Sequence, residues 1–591
     1  MILIKNYIDN MRKIGIIGIG PRGGYALERL IFELVEQNCL SKIHISLFEA
    51  TGNFGNGQVY DLKQNTSNWI NITERILELE KRKAMITETV KIKSFPSYHE
   101  WANKDFSSYS KDEIDTYPPR AKIGRFLSER FQSLVAPLIE AKIISLYKEH
   151  VKEIKWTGNN LLQIITNSSN YDMFDEILLT IGHQSTTLSE QILDWDKFTV
   201  NKDNLALFKS PYPVNNYLNH KNLTNTSTVG IRGFGLAMID VVRAIAGKFG
   251  EFSMNNLESD LYSYQTEYDI KDMFIPFSLD GLPPVPKPLN ARIDDWFEPS
   301  KTSILSFEKQ VGDTQIQKEA KNSHFLITAF ATVAASVFSK LENTNNTLNL
   351  PKEDIKKLIM RWLKNQTIEH SLITPTKQPV EKSMYDFVAM AKGKANINLD
   401  YCIGQVWRHC QPSIYKVLSF NECSDEVFAE IIALDESTKR YSYGPPVESI
   451  QQILALVKAG ILNLDMINNP TIKLTNKGWV FEHSEKLITV TIMIDSVLDS
   501  PKIKAVNSSL VQNMLDDGFI KVIHDDLGVA TNENGYLISS AEDQKIPIAL
   551  LGRLAKGTVI GVDAILECFG SRPQQWAKQA AKNHINHLNK N

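Results

Sequence analysis

Apolar positions fall into two patterns: short solid runs, as in strands buried on both faces, and stretches at helical spacing between them. The run from Ile14 to Ile19 enters Gly18-x-Gly20-x-x-Gly23, a helix-compatible stretch covers Tyr25–Gln37, and a second run, Ile43–Phe48, ends at Glu49. Residues 13–50 therefore read as a strand–helix–strand unit. Residues 51–125 are irregular, with glycine, aromatic and proline punctuation. The spacing predicts a helix over Lys122–Leu138 and strands over Ile143–Val151, Lys152–Trp156, Leu161–Thr166 and Glu176–Ile181. After the polar stretch Asn201–Ser227, a strand at Thr228–Ile231 precedes a helix that continues to about Ala246. Residues 301–470 are mainly helical, and Phe325–Phe338 within them is a buried helix too short to span a bilayer. Strands return at Ile488–Asp495 and Ile548–Leu551.

Composition narrows the class. The 591 residues suggest about three or four domain-sized units, and 43% hydrophobic content is ample for a large core. A net charge of −3 with no long basic run gives no reason to expect nucleic acid. Cys39, Cys402, Cys410, Cys423 and Cys568 are few and irregularly spaced, as in a reducing compartment, and no CxxC pair is present for a dithiol relay. The opening MILIKNYIDNMRK has no apolar core or cleavage site of a secretory signal and reads as a short extension before the first strand. The expectation is a cytoplasmic protein without membrane or nucleic-acid partners; a homo-oligomer is left open.

The first unit carries chemistry. Gly18 permits a tight turn, Gly20 lets the backbone approach a pyrophosphate at the helix N-terminus, and Gly23 lets helix and strand pack closely. Glu49 stands where a ribose diol would be bound, so the full context predicts a dinucleotide site. Pro21 and Arg22 lie in the turn; Arg22 either contacts phosphate, caps the helix start or pairs with a surface acid. A second strand–turn–helix, Gly233-Phe234-Gly235-Leu236-Ala237-Met238-Ile239-Asp240, predicts a second nucleotide site, with its helix set further from the strand because Ala237 or Met238 replaces the third glycine. Arg232, Arg243 and Lys248 either meet a 2′-phosphate, which would favour NADPH over NADH, or are solvated charges. The proline-dense IPFSLDGLPPVPKPLN forbids regular helix or sheet; it is either a surface loop or a wall beside the second site.

Further landmarks extend the pattern: Thr180-Ile181-Gly182-His183 at a strand end, and Gly557-x-x-x-Gly561-x-Asp563 near the C-terminus. Their order resembles flavoproteins with two dinucleotide-binding domains. Thr180–Gly182 looks like the "ATG" strand end of those proteins, and Asp563 like the aspartate that holds the ribityl chain of FAD. More narrowly, the chain resembles the bacterial FAD–NAD(P)-binding proteins. That resemblance rests on Gly20-Pro21-Arg22-Gly23, Gly55-x-Gly57-x-x-Tyr60, Trp69-Ile70-Asn71, Pro119-Arg120-x-x-x-Gly124-x-Phe126-Leu127, Gly233-x-Gly235-Leu236-x-x-x-Asp240 and Tyr443-Gly444-Pro445-Pro446. Its relatives include flavin-dependent amine N-oxidising monooxygenases, among them enzymes that convert aspartate to nitrosuccinate. The resemblance thus implies FAD, NADPH, molecular oxygen and a small amine or amino acid, with oxygen delivered from a flavin C4a-hydroperoxide.

The candidate catalytic residues are Asn71, His183 and Arg408. Asn71 either bonds the isoalloxazine edge or is a turn asparagine; His183 either tunes the flavin and moves a proton or is structural; Arg408 either meets a substrate carboxylate or is helical surface charge. Arg120 binds a flavin phosphate or an anionic substrate group, against a structural ion pair. The group Trp407–Cys410 has no partner cluster at zinc spacing, so no metal is expected, and the turn-forming Lys439–Pro446 is placed near the substrate mouth. The fold expected is α/β: a Rossmann-like FAD-binding domain, a second Rossmann-like NAD(P)-binding domain and a mainly helical insertion. The expected boundaries are 1–200 and 201–300 for the two nucleotide regions, 301–480 for the insertion, and 481–591 for a return to the nucleotide domains. Three functions follow: an N-monooxygenase, a flavin oxidoreductase without oxygen insertion, and a non-catalytic FAD-binding redox sensor.

Overall fold

The computed structural model describes residues 11–157, 161–254, 262–345, 350–540 and 545–590; the N-terminal extension over residues 1–10 lies outside them. The chain opens with β1 (Arg12–Ile17), α1 (Pro21–Glu36) and β2 (Ile43–Phe48), the unit expected from the first glycine motif. A long helix, α2 (Arg120–Glu140), leads to β3 (Ile144–Tyr147). A three-stranded antiparallel sheet of Val151–Thr157, Leu161–Thr166 and Asn170–Phe174 intervenes before β4 (Glu176–Leu179). The second unit contains β5 (Ala206–Phe208), β6 (Val229–Arg232), α3 (Leu236–Phe249) and β7 (Phe274–Phe277). Helices from Lys301 to Lys458 follow, among them α4 (Leu399–Leu418) and α5 (Asp425–Ser442). The chain then returns through β8 (Ile492–Asp495), β9 (Ile548–Leu550) and α6 (Ser571–Lys590).

Two parallel sheets organise the molecule. The first has strand order β9–β4–β1–β2–β3, the second β5–β8–β6–β7, with every named pairing parallel. β1, β2 and β4 are almost wholly buried, which is why they are written as solid apolar runs. The last helix, α6, packs on α1, and its Trp576 indole donates to Glu176 Oε1 at 3.1 Å, beside the Tyr536 hydroxyl at 2.7 Å. Arg12 pairs with the same carboxylate, so a buried charge at the foot of the first sheet is fully matched.

Several elements differ from expectation; the strand expected over Ile143–Val151 ends at Tyr147, with Val151 opening the next one, and the polar stretch Asn201–Ser227 contains β5. Ile488–Asp495 is not one strand: Lys486–Val490 joins an antiparallel sheet and Ile492–Asp495 the parallel one, with Thr491 between them. Phe274–Phe277 is a strand despite Pro276 and the proline-dense sequence after it, because β7 is the last strand of its sheet, where a missing N–H is tolerated. Lys439–Ser442 is helical, the final turn of α5, rather than part of the turn. The helix over His324–Phe338 is buried as expected, and among the described residues no helix is long and apolar enough to cross a membrane.

Candidate cofactor cleft and substrate pocket

The first glycine turn is built by contacts that leave no room for side chains. Gly18 has φ +90°, and a Cβ there would lie 2.6 Å from the Thr180 carbonyl oxygen. A Cβ on Gly23 would lie 2.4 Å from the Gly18 oxygen and 2.6 Å from Thr180 Oγ1. Thr180 in turn donates to the Ile17 carbonyl at 3.3 Å and to that of Gly18, locking β4 against the turn. Gly20 and Gly57 face each other, each Cβ position directed at the other's Cα at 3.7 and 3.1 Å. With Pro21 as the first residue of α1, the unpaired N–H groups of the helix start are presented there. Glu49, 8% exposed, accepts from the Thr51 and Gly52 amides at 2.6 and 2.9 Å and from the Thr51 hydroxyl at 3.1 Å. Its carboxylate is thereby held at the end of β2.

Arg22 turns away from this mouth. It is buried and donates to the carbonyls of Val562 and Glu567 at 3.0 and 3.2 Å, so it ties the turn to the C-terminal segment instead of reaching for a phosphate or a surface acid. On that segment Gly561, φ +75°, lies against the ring of Tyr415, where a Cβ would come within 2.1 Å of the ring. Asp563 Oδ2 accepts from Lys439 and Lys556, both at 2.7 Å, and the two ammonium groups hold its carboxyl well below the usual range despite burial. Asp563 Oδ1 is buried with no hydrogen-bond partner among the described residues. An acceptor without a hydrogen bond, with the cation at Arg553 Nε 3.9 Å away, suits a ribityl hydroxyl, and the glycine mouth with Glu49 suits an adenosine diphosphate; the residues present fit FAD. Gly182 has φ +66° with nothing within 4 Å of its Cβ position. His183 beside it lies against Arg553. Desolvation and the Arg553 guanidinium, 2.9 Å from Nδ1, push the ring's pKa down to about 4.

The second turn is similar but looser. Gly233 has φ +107° and a Cβ there would meet Ser496 Oγ at 2.7 Å, whereas Gly235, which caps α3 ahead of Leu236, has nothing within 4 Å of its Cβ position. The three cations considered for a 2′-phosphate differ in what they contact. Arg232 pairs with Asp495 at 3.1 Å, Lys248 donates to the Leu218 carbonyl at 2.6 Å, and Arg243 is stacked 3.5 Å over the Trp69 ring. Arg243 is also about 12 Å along α3 from Gly235. Arg120 is spent on an ion pair with Asp240, Nη2 to Oδ2 2.9 Å, the structural alternative among its two readings.

A cavity of about 380 Å³ opens between the helical module and the C-terminal segment, with Asn71, Lys287, Asp294, Arg408, Tyr415 and Glu567 in its wall. The Asn71 side-chain amide donates to the Tyr443 carbonyl at 3.3 Å, and the backbone carbonyl of Asn71 accepts from Lys287 Nζ. Arg408 projects from the middle of α4 onto Asp294, which also contacts His409 Nε2 at 3.1 Å, so it is not helical surface charge. Burial lowers the Lys287 ammonium to about 7 and raises the Glu567 carboxyl to about 7, against an Ala564 amide that donates to it at 2.8 Å.

Residues 15–184 match a protein-family model described as FAD-NAD(P)-binding. This segment is similar to FAD-NAD(P)-binding domains. The chain is also 20% identical over 485 residues to the uncharacterized protein YdhS of Escherichia coli K12, covering 77% of each. Among solved structures, ornithine hydroxylase (PvdA) from Pseudomonas aeruginosa aligns over 97% of this chain and 99% of its own at 9% identity, with a TM-score of 0.47. L-lysine 6-monooxygenase from Pseudomonas syringae aligns over 97% and 99% at 11% identity, with a TM-score of 0.43.

Within residues 15–184 the structure gathers Gly18, Gly20, Pro21, Gly23, Thr180 and Glu49 around one mouth, with Gly561 and Asp563 tied to it through Arg22. Asn71 and Arg408 meet in the cavity wall; His183 does not, lying instead with Arg553. Lys287, Asp294 and Glu567 escaped sequence reasoning. The signal for Lys287 was a charged residue between prolines in LPPVPKPLN, a stretch read only as loop or wall. That stretch packs on the Tyr443–Pro446 landmark: a Cβ on Gly444 would lie 1.8 Å from the Val285 carbonyl oxygen, which explains the glycine.

Proposed function

We propose that the chain is an FAD-dependent, NAD(P)H-using monooxygenase that oxidises the amine of a small amino-acid-like substrate. The observation that carries this reading is the continuity of the cavity with the flavin-type segment. Its wall includes Ala564 and Glu567, and Ala564 directly follows Asp563, the residue with the acceptor oxygen that lacks a hydrogen bond. A substrate held there would stand beside the cofactor.

Glu49, the N-terminus of α1 and Asp563 would hold FAD, and Gly233–Leu236 at the start of α3 would hold the nicotinamide cofactor. When bound, FAD supplies hydride acceptance and oxygen activation. The chain's residues do the rest. Arg408, oriented by Asp294, presents its remaining N–H donors to a substrate carboxylate. An amine must be neutral to attack an electrophilic oxygen. Lys287 and Glu567, each poised near pH 7, are placed to take up the proton it sheds. The largely apolar wall excludes water and so disfavours a charged substrate amine.

The test is the visible spectrum of the purified protein before and after anaerobic NADPH. Yellow protein that NADPH bleaches is expected; colourless protein that also fails to take up added FAD overturns the reading. On readmitting oxygen, the ratio of NADPH consumed to hydrogen peroxide released is compared with and without candidate amino acids. Coupled turnover with one of them is the expected result, whereas peroxide equal to NADPH with every amine would assign an oxidoreductase without oxygen insertion.

A further inference from the structure

A second concavity, of about 790 Å³, opens between α3 and the loop that carries Trp69. Its wall contains Ser67, Trp69, Asn219, Arg243, Gly247 and Lys248, and no carboxylate. Arg243 is 6% exposed, and its guanidinium lies 3.5 Å over the Trp69 ring. Among the described residues none of its N–H donors has a hydrogen-bond or ion-pair partner. None of these nitrogens is among the fully buried unsatisfied atoms, so the guanidinium keeps its donors open to the concavity while its stem is buried.

Asp240 and Glu448 act on Arg243 only through space, without a hydrogen bond or ion pair to it. Asp240, one turn earlier on α3, accepts from Arg120 at 2.9 Å and from the Tyr212 hydroxyl at 2.5 Å. Burial lowers Arg243 to about 10, against the opposing pull of Asp240 and Glu448. Ser67 Oγ is buried with no partner. Lys248 reaches the same concavity and keeps one donor beyond the carbonyls of Leu218 and Leu223.

We propose that this concavity is a phosphate-binding site, with Arg243 as its principal donor and Ser67 and Lys248 beside it. Two cationic side chains, a free hydroxyl and no acid match a dianion with several acceptor oxygens. The site joins the units of the two parallel sheets: Trp69 belongs to the first and α3 to the second, and the Trp69 carbonyl accepts from Arg120 Nε at 3.4 Å. A bound phosphate would therefore brace the junction that Arg120 and Asp240 already close. The phosphate is a free one or the ribose phosphate of NADPH; the position of Arg243, about 12 Å from Gly235 along the helix, favours the free one.

The experiment is calorimetric titration of the FAD-loaded full chain with inorganic phosphate at low ionic strength. Saturable binding is expected, at least about tenfold weaker in Arg243→Met. It should also be lost in Gly247→Leu, whose side chain grows from a Cβ position with nothing within 4 Å and so fills the concavity without disturbing the core. Both variants should keep the parent flavin spectrum, and Gly247→Leu decides if Arg243→Met fails to fold. A second arm compares NADPH with NADH as reductants of the bound flavin. Phosphate binding lost with NADPH preference unchanged assigns the site to free phosphate; NADPH preference lost assigns it to the cofactor's phosphate. The proposal is overturned if neither phosphate binding nor the NADPH preference responds to Arg243→Met and Gly247→Leu.

Discussion

Arg120 and Asp240 meet between the two parallel sheets, with Nη2 and Oδ2 2.9 Å apart and side-chain exposures of 18% and 7%. Arg120 opens α2 and Asp240 lies on α3, so the pair fixes the unit of the first sheet against that of the second. Tyr212 bonds both partners, at 3.1 Å to Arg120 and 2.5 Å to Asp240. Removing one member leaves a charge buried without its match, at a cost of about 3–5 kcal/mol. Arg120→Met and Asp240→Leu should each destabilise the chain by that order in urea unfolding, and the double variant should recover much of the loss. Single variants that unfold like the parent would mean that the junction does not depend on this pair.

The two glycine turns make opposite predictions. Gly23→Ala forces a Cβ to within 2.4 Å of the Gly18 carbonyl oxygen, so α1 must shift from β1 and the pyrophosphate mouth opens. The purified variant should carry little flavin, measured as the flavin-to-protein absorbance ratio. At Gly235 the Cβ of a leucine would have nothing within 4 Å, so its side chain starts into open space. Gly235→Leu should therefore leave stability and flavin content unchanged and weaken NADPH alone, if that opening is kept for the nicotinamide cofactor. A Gly235→Leu protein that NADPH still bleaches at the parent concentration would remove the second turn from the cofactor site.

The first unit was legible because each of its roles is local. Gly18, Gly20 and Gly23 fall within one turn, and the apolar runs around them are the buried strands β1 and β2. What stayed hidden is set by tertiary contact. Helical spacing places Arg408 on α4 but says nothing of Asp294 on another element, so surface charge and pocket charge read alike. Lys439 sits in a stretch with turn composition, yet its ammonium reaches Asp563 and the backbone stays helical to Ser442. Pro276 argues against a strand until the sheet order shows β7 to be its last strand. Arg120 carried both of its readings in the sequence, and only the position of Asp240 separates them.

Asp563→Asn tests the C-terminal half of the flavin site. Asp563 shares Lys556, only 3% exposed, with Glu436, and shares Lys439 with it as well. The amide keeps the shape and removes the charge that balances two buried ammonium groups. Lower flavin retention and a lower Tm are expected. The sign of the pH effect follows from the lowered pKa of the Asp563 carboxyl. Its stabilisation is complete above the unfolded value of about 3.9 and is lost as pH falls through the folded value. The Tm difference between parent and variant should thus be constant from about pH 5 to 8 and close only in strong acid. A difference that shrinks already above pH 5 would contradict the assigned pairing.

Lys287 and Glu567 face one cavity with their pKa values moved towards each other, both to about 7. Each shift costs stability, in complementary windows. Between about 4.3 and 7 the folded Glu567 keeps a proton that the unfolded chain has lost, so its contribution makes stability fall as pH rises. Between 7 and about 10.4 the unfolded Lys287 holds a proton that the folded one has released, so stability climbs with pH. The two penalties overlap most near neutrality. Glu567→Gln should gain stability over the parent above pH 7 and none below about pH 4, and Lys287→Met should gain below pH 7 and none above about pH 10. Tm measured from pH 5 to 10 for parent and both variants reads these limbs directly. Variants whose Tm difference from the parent is flat across that range would place both groups in ordinary solvent and take the proton-accepting role away from the cavity.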